Sequence, residues 1–354
     1  MANSLYTLPA RRHHGRLANG LAGKVVVITG ASAGVGRATA REFAKAGARL
    51  ALVARDAESL ERVRGEIGAL GADALMLPLD VADANAVFAA ADRVERELGP
   101  IDVWINDAML TVFSPLSQMT PEEFARVTNV TYLGYVYGTM AALHYMRRRN
   151  KGTIIQVGSA LAYRGIPLQT AYCGAKHAIR GFTDSLRSEL LHEGSEIGLT
   201  MIQLPAVNTP QFDWARTHLS HKPRPVPPVV QPEAIARVIL KAVRKPRREY
   251  WLGFSTIKVI LASMAVPTFL DHYLARNGYD AQEQKALTSP DRRDNLLSPV
   301  TNLHRTRGSF GSEARNNVTA VSGQTVRLTL AAMVAGLLLW TGFAASRYSD
   351  RHSR

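Results

Sequence analysis

As far as Leu204, short apolar runs rich in β-branched residues alternate with longer stretches in which apolar residues recur at helical spacing. The runs are Lys24–Thr29, Arg49–Ala54, Asp73–Asp80, Ile101–Asn106, Thr153–Gly158 and Ile197–Leu204. Runs that are apolar throughout, with no polar alternation, predict strands buried on both faces. Between them, Val35–Ala46, Asp83–Leu98 and Pro121 to about Arg149 predict helices. The last opens on Thr120-Pro121 with Glu123 in the first turn, the pattern of a capping box. Strands alternating with helices predict an α/β fold, a Rossmann-type doubly wound parallel sheet flanked by helices, with ligands at the carboxyl ends of the strands.

The first strand runs directly into Thr29-Gly-Ala-Ser-Ala-Gly34-Val-Gly36. Gly30 permits a tight turn, Gly34 lets backbone approach a pyrophosphate, and Gly36 lets helix and strand pack closely. The helix that follows offers its positive N-terminus to phosphates. Ser32 and Val35 of the same turn are expected to contact the dinucleotide with them. Further on, Tyr172-Cys-Gly-Ala-Lys176 puts a phenol and an ammonium on one face of a helix, where the cation favours phenolate. Ser159, upstream of the pair, can hydrogen-bond an oxygen that gains or loses a proton. This trio reads as proton transfer coupled to hydride transfer.

In their order, Thr29-Gly30-x-x-x-Gly34-x-Gly36, Leu79-Asp80-Val81, Asn106-Asp107-Ala108-Met109, Gly158-Ser159, Tyr172-x-x-x-Lys176 and Pro205-Ala-Val-Asn-Thr209 resemble the short-chain dehydrogenase/reductase family. The resemblance covers Leu21 to Gly253. It implies an NAD(P)-dependent oxidoreductase acting on CH–OH groups, which interconverts a secondary alcohol and a ketone, or an alcohol and an aldehyde. Tyr172 would be the general acid/base, Ser159 the partner of the substrate oxygen, and Lys176 both a ribose ligand and the group that lowers the Tyr172 pKa. The resemblance also implies that Asp80 and Val81 flank the adenine and that Asn106, Ala108, Val207 and Thr209 line the rest of the cofactor.

The chain departs from the family pattern in three places, one of them Ala206, which stands where the family has a glycine after Pro205. The usual Asn-Asn-Ala-Gly segment is Asn106-Asp107-Ala108-Met109, so an amide has become a carboxylate and a glycine a thioether. The relay asparagine of the family, counted back from Gly134, falls on Thr131. Thr131 can hold a water through its hydroxyl and is taken as the relay residue. Asn129 is the alternative, roughly 200° around the helix, and neither residue is the third outcome. The second strand ends in Ala54-Arg55, where an acidic residue would bind the 2′-hydroxyl of NAD. Arg55, with Arg37 near, offers a guanidinium to a 2′-phosphate, so NADP(H) is favoured over NAD. Asp56 becomes the ribose contact if the register slips by one.

Composition adds bounds. The 354 residues exceed one such domain, and 46% hydrophobic content supports one sizeable core. Cys173 is the one cysteine, so no intrachain disulfide forms, and packing is its expected role over redox sensing. No Cys/His cluster has metal-ligand spacing, so no metal is expected; His218 and His221 lie in a Pro-rich segment and read as solvated or close to substrate. That segment, Pro210–Pro232, carries Phe212, Trp214, Val226 and Val229, which points to a small hydrophobic substrate. The net charge of +14 is spread along the chain without an aromatic-interleaved basic motif, so nucleic acid is not an expected partner.

The excess length divides into a basic arm at 1–20, an apolar covering or interfacial helix at 254–279, a flexible tether at 280–324 and an uncharged run, Leu328–Ser346, between Arg327 and Arg347. At about 1.5 Å per residue that run matches the hydrocarbon core of a bilayer. It predicts a single-pass C-terminal membrane helix with the catalytic domain on the cytoplasmic side; the alternative is a buried helix of a soluble fold. A homo-oligomer is left open. A second class of function, a catalytically silent nucleotide-binding sensor or scaffold at the membrane, stands beside the enzyme.

Overall fold

The structure, a computed structural model, describes residues 20–352, with backbone alone for 337–339 and 342–352. Eight strands form its central sheet: β1 (Val25–Thr29), β2 (Arg49–Ala54), β3 (Ala74–Pro78), β4 (Ile101–Asn106), β5 (Thr153–Val157), β6 (Gly198–Gln203), β7 (Glu249–Leu252) and β8 (Ala320–Ser322). Their spatial order is 3-2-1-4-5-6-7-8. The first seven pair in parallel, and β8 closes the edge antiparallel to β7. All five residues of β1 are buried, as its unbroken β-branched run requires of a central strand with helices on both faces.

One face is covered by α1 (Gly34–Lys45), α2 (Ala57–Gly68) and α7 (Pro232–Arg244), which bury Phe43, Leu60, Ile235 and Ile239 against Val26, Ile28 and Leu50. The other is covered by α3 (Ala84–Glu97), α4 (Pro121–Thr128), α5 (Gly134–Arg149) and α6 (Thr170–His192), with Val87, Val94, Ala142 and Leu186 against Val27, Trp104 and Ile154. The strand order reverses between β1 and β4, which opens a crevice at the carboxyl ends of these strands. The doubly wound sheet is therefore the predicted one.

The helix expected from Pro121 to about Arg149 is two helices. Thr120 and Glu123 form the predicted capping box, and a π-helical turn, Asn129–Leu133, joins α4 to α5. Such turns are frequent at functional sites. The chain then leaves α5 through Asn150 in the left-handed conformation.

The C-terminal third differs from expectation. Helices α8 (Gly253–Ala265) and α9 (Pro267–Asn277) follow β7. Residues 280–324, read as a tether from their polar composition, fold back across the domain. Glu283–Leu287 pairs with His221–Pro223, and β8 joins the main sheet. Leu296, Val300 and Phe310 are buried. Their apolar anchors are too sparse to form a periodic signal, and their carbonyls find partners in arginines far away in sequence.

The membrane expectation is corrected. Leu328–Ser346 belongs to α10 (Gly323–His352), and among the described residues no helix is long and apolar enough to cross a membrane. Single-pass anchoring, and the cytoplasmic placement deduced from it, fall with that finding. The root of α10 is built into the domain instead: Arg327 pairs with the buried Glu249 carboxylate at 3.2 Å and donates to the Tyr163 hydroxyl at 3.0 Å. The side chains of the run at 337–339 and 342–346 lie outside the described residues, as do residues 1–19 of the basic arm.

Candidate active site

The turn after β1 is shaped by contacts that leave no room for side chains. A Cβ on Gly30, where φ is +73°, would lie 2.9 Å from the Ala108 Cα, and one on Gly36 would lie 2.3 Å from the Gly30 carbonyl oxygen. Glycine is required at both positions, so the α1 N-terminus is drawn against the strand ends. The Thr29 hydroxyl fixes the facing loop by accepting from the N–H groups of Asp107 and Ala108 at 3.0 and 3.1 Å. The first turn of α1 holds no acidic residue of its own, so the helix presents its positive end to the crevice, where the Gly34 N–H meets the Arg305 carbonyl at 3.0 Å.

These groups open onto a cavity of about 530 Å³, within the range of small-molecule sites. Gly30, Ser32, Gly34, Val35, Arg55, Asp80, Val81, Ala108, Val207 and Thr209 line it, as do Ser159, Tyr172 and Lys176. Asn106 is placed elsewhere. It is fully buried beneath the site, where its side chain accepts from Trp104 Nε1 and donates to Thr139 Oγ1 and Gln156 Oε1. Its role in this fold is to hold β4, α5 and β5 in register. Gly36, also expected at the cofactor, shapes the turn from behind.

Ser159 follows β5, and its N–H donates to Gln203 Oε1 at 2.8 Å, which sets the residue in place. Its hydroxyl accepts from the Leu161 N–H at 3.1 Å and stands close enough to the Tyr172 phenol to lower its pKa. Tyr172 and Lys176 stand one turn apart on α6. The Lys176 ammonium, 2% exposed, donates to the Val157 carbonyl at 2.8 Å and to the Tyr135 hydroxyl at 3.1 Å.

Electrostatics correct one expectation. Burial pushes the Tyr172 phenol well above its ordinary value, the Ser159 hydroxyl draws it part of the way back, and Cys173 and Asp107 push it up again. Lys176 lies 5.6 Å from the Tyr172 ring centroid and directs its hydrogen bonds elsewhere, so it does not hold the phenol down here. Burial pushes Lys176 itself down, opposed by Asp107; the buried Asp107 carboxyl is pushed up, opposed by Lys176 and by the Gly36 N–H. The family-pattern amide replaced by Asp107 thus places an acid across from the ammonium.

Thr131 is not brought to Lys176. Its hydroxyl accepts from the Leu110 N–H and donates to the Leu110 carbonyl, both at 2.9 Å, and clamps the loop after β4. Asn129 is exposed at the start of the π-helical turn. Tyr135 takes the contact instead. It lies one helical turn beyond Thr131, and that i,i+4 spacing was the signal available in the sequence.

Arg55 is engaged by the chain itself: its guanidinium donates to the carbonyls of Asn295, Leu296 and Leu297. Arg37 pairs with Glu66 at 2.5 Å and donates to the His304 carbonyl at 2.8 Å. Asp80 accepts from the Ala82 N–H and pairs with Arg126. His218 and His221 are structural, meeting Glu123 at 3.0 Å and Glu283 at 3.1 Å. Cys173 is buried and its thiol pushed up to about 11, which fits packing. Among the described residues no group of His, Cys, Asp and Glu could hold a metal ion.

A dinucleotide suits this donor set. The turn excludes side chains where backbone must approach, the α1 N-terminus favours anions, and two cavity-lining residues keep buried nitrogens without partners, Trp214 Nε1 and His304 Nδ1.

Comparison with known proteins agrees. A family model described as short chain dehydrogenase matches residues 24–219. The uncharacterised oxidoreductase YxnA of Bacillus subtilis is 31% identical over 319 residues, covering 90% of this chain and 89% of the relative. A metagenomic short-chain oxidoreductase solved in complex with NADP shares 28% identity at a TM-score of 0.54, over 64% of this chain and 92% of that one. The alcohol dehydrogenase of Thermococcus sibiricus, complexed with 5-hydroxy-NADP, shares 29% at 0.56, over 64% and 95%.

Proposed function

The chain belongs to the short-chain dehydrogenase family and is an NAD(P)-dependent oxidoreductase acting on CH–OH groups; from that premise we propose that it prefers NADP(H) and interconverts a hydrophobic secondary alcohol and its ketone. One observation carries the reading: Ser159 and Tyr172 line one apolar cavity together, with the Lys176 ammonium 5.6 Å from the Tyr172 ring centroid. Leu110, Phe212, Val226, Val259, Leu270 and Leu274 give that cavity a lining suited to a substrate with little polarity beyond the reacting oxygen.

Gly30, Ser32, Gly34 and Val35 would hold the phosphates, Arg55 a 2′-phosphate, Asp80 and Val81 the adenine, and Lys176 a ribose. NADP(H), when bound, supplies or accepts the hydride. The protein's part is the proton. In reduction, the carbonyl oxygen gains negative charge, the Ser159 hydroxyl stabilises it by hydrogen bonding, and the Tyr172 hydroxyl donates the proton. In oxidation the same groups run in reverse. Tyr135 and Val157 hold the ammonium next to the phenol ring, where it would meet the ribose.

The cofactor reading is supported by the absence of a carboxylate at Ala54-Arg55 and by the NADP-type ligands of the two neighbours. The experiment is a nucleotide-depletion screen of apolar ketones and alcohols with NADPH and NADH. Turnover of apolar ketones with NADPH is expected; turnover confined to sugars or polyols would refute the substrate class.

A further inference from the structure

The segment from Arg292 to Phe310 crosses the mouth of the crevice from the adenine end to the substrate loop. Asn295, Leu296, Val300 and Phe310 anchor it by burial; from Thr301 to Ser309 the His304 side chain alone is covered as deeply. That middle portion is held by its backbone and by three exposed side chains, Arg305 and Ser309 on Asp213 at 2.7 Å and Arg307 on Glu233 at 2.9 Å. The Arg37 guanidinium donates to the His304 carbonyl at 2.8 Å, the Gly34 N–H to the Arg305 carbonyl at 3.0 Å, and the Gly308 N–H to the Asn208 carbonyl at 3.0 Å. Gly34 belongs to the turn that approaches the phosphates. The segment therefore reaches the pyrophosphate position without filling the space beneath: Asn295, Pro299 and His304 form one wall of the cavity.

His304 is the side chain aimed inward. It is 8% exposed, its ring lies 4.8 Å from Trp214, and its Nε2 is 3.7 Å from an Asp56 carboxylate oxygen. Its Nδ1 is buried without a partner, and so is Trp214 Nε1 in the neighbouring ring. Two adjacent buried nitrogens without partners, on a cavity wall, call for a polar ligand. A stretch with few buried apolar contacts, fixed at two anchored ends, is one that opens locally at low cost.

We propose that residues 301–309 are a strap that closes over the bound nucleotide, with His304 as its contact to it, and that the nucleotide is exchanged only when the strap lifts. The proposal rests on the cofactor reading above. It assigns a binding role to a segment outside the 24–219 region matched by the family model. Lids of this kind make release a conformational step.

Gly308 gives the means to test it. A Cβ there would lie 2.3 Å from the Thr209 carbonyl oxygen, so Gly308→Val wedges the strap away from the crevice. His304→Ala removes the contact without a wedge and serves if the valine variant fails to fold. NADPH release from the full-length chain is followed by stopped-flow fluorescence, and tryptic cleavage after the exposed Arg305 and Arg307 by mass spectrometry. In the wild type, NADPH should slow that cleavage. Both variants should release NADPH about tenfold faster, the factor set by one lost hydrogen bond, and Gly308→Val should also bind it faster. Unchanged release in both variants would overturn the strap. So would faster association with unchanged release, because it marks a segment that competes with the nucleotide rather than covering it. If neither wild type nor variants bind NADPH or NADH, the cofactor reading fails and the strap with it.

Discussion

The Lys176 ammonium and the Tyr135 hydroxyl meet at 3.1 Å, and both donate to the same acceptor, the Val157 carbonyl. This triangle holds the cavity-lining lysine from α5. Lys176 lies over the Tyr135 ring as well, 4.8 Å from its centroid. Tyr135→Phe keeps the ring and leaves a buried ammonium with one acceptor fewer. A hydrogen bond to a charged group is worth about 1.5–3 kcal/mol, so urea denaturation should show a loss of roughly that size. Unchanged stability would mean that a water or the Val157 carbonyl alone satisfies the lysine.

Arg55 connects the cofactor choice to the strap. Its carbonyl contacts at Asn295, Leu296 and Leu297 hold it at the adenosine end, where a 2′-phosphate would be the stronger acceptor. Arg55→Ala should weaken NADPH binding about tenfold to a hundredfold relative to NADH. Loosening of the neighbouring segment affects both nucleotides alike, so the ratio of the two Kd values isolates the phosphate. A wild-type preference for NADH would assign the ribose to Asp56.

His304 supplies a pH dependence. Burial pushes its pKa down to about 4 from the ordinary histidine value of 6.5, only partly opposed by Asp56. Between those values the unfolded chain binds a proton that the folded chain does not, so stability is present above pH 6.5 and lost as pH falls toward 4. The urea midpoint should therefore drop more between pH 7.5 and 5 in the wild type than in His304→Asn. Equal drops would show that His304 takes up its proton in the folded state.

The sheet, and the meeting of Ser159, Tyr172 and Lys176 on one cavity, were legible because each rests on local signals: unbroken apolar runs, a glycine turn, and a Tyr–Lys pair one helical turn apart. Parts that depend on distant contacts were not. Tyr135 reaches Lys176 only after the π-helical turn sets the phase of α5, and Asn106 looks like a cofactor ligand until Thr139 and Gln156 surround it. The fold of 280–324 was hidden because backbone carbonyls, which leave no mark in a sequence, make its contacts to Gly34, Arg37 and Arg55. The uncharged stretch in α10 misled for a similar reason. Its lack of charge was visible, whereas the pairing of Arg327 with Glu249, which roots the helix in the domain, was not.

The most direct test of the account is Tyr172→Phe, assayed for both turnover and nucleotide binding. The ring that packs beside Lys176 stays, and only the ionisable hydroxyl is lost. Turnover should fall by about 10²–10⁴, the range for loss of a general acid/base, while the Kd for NADPH stays within about a factor of two. Undiminished turnover in the folded, nucleotide-binding variant would contradict the assignment of Tyr172 as the proton donor.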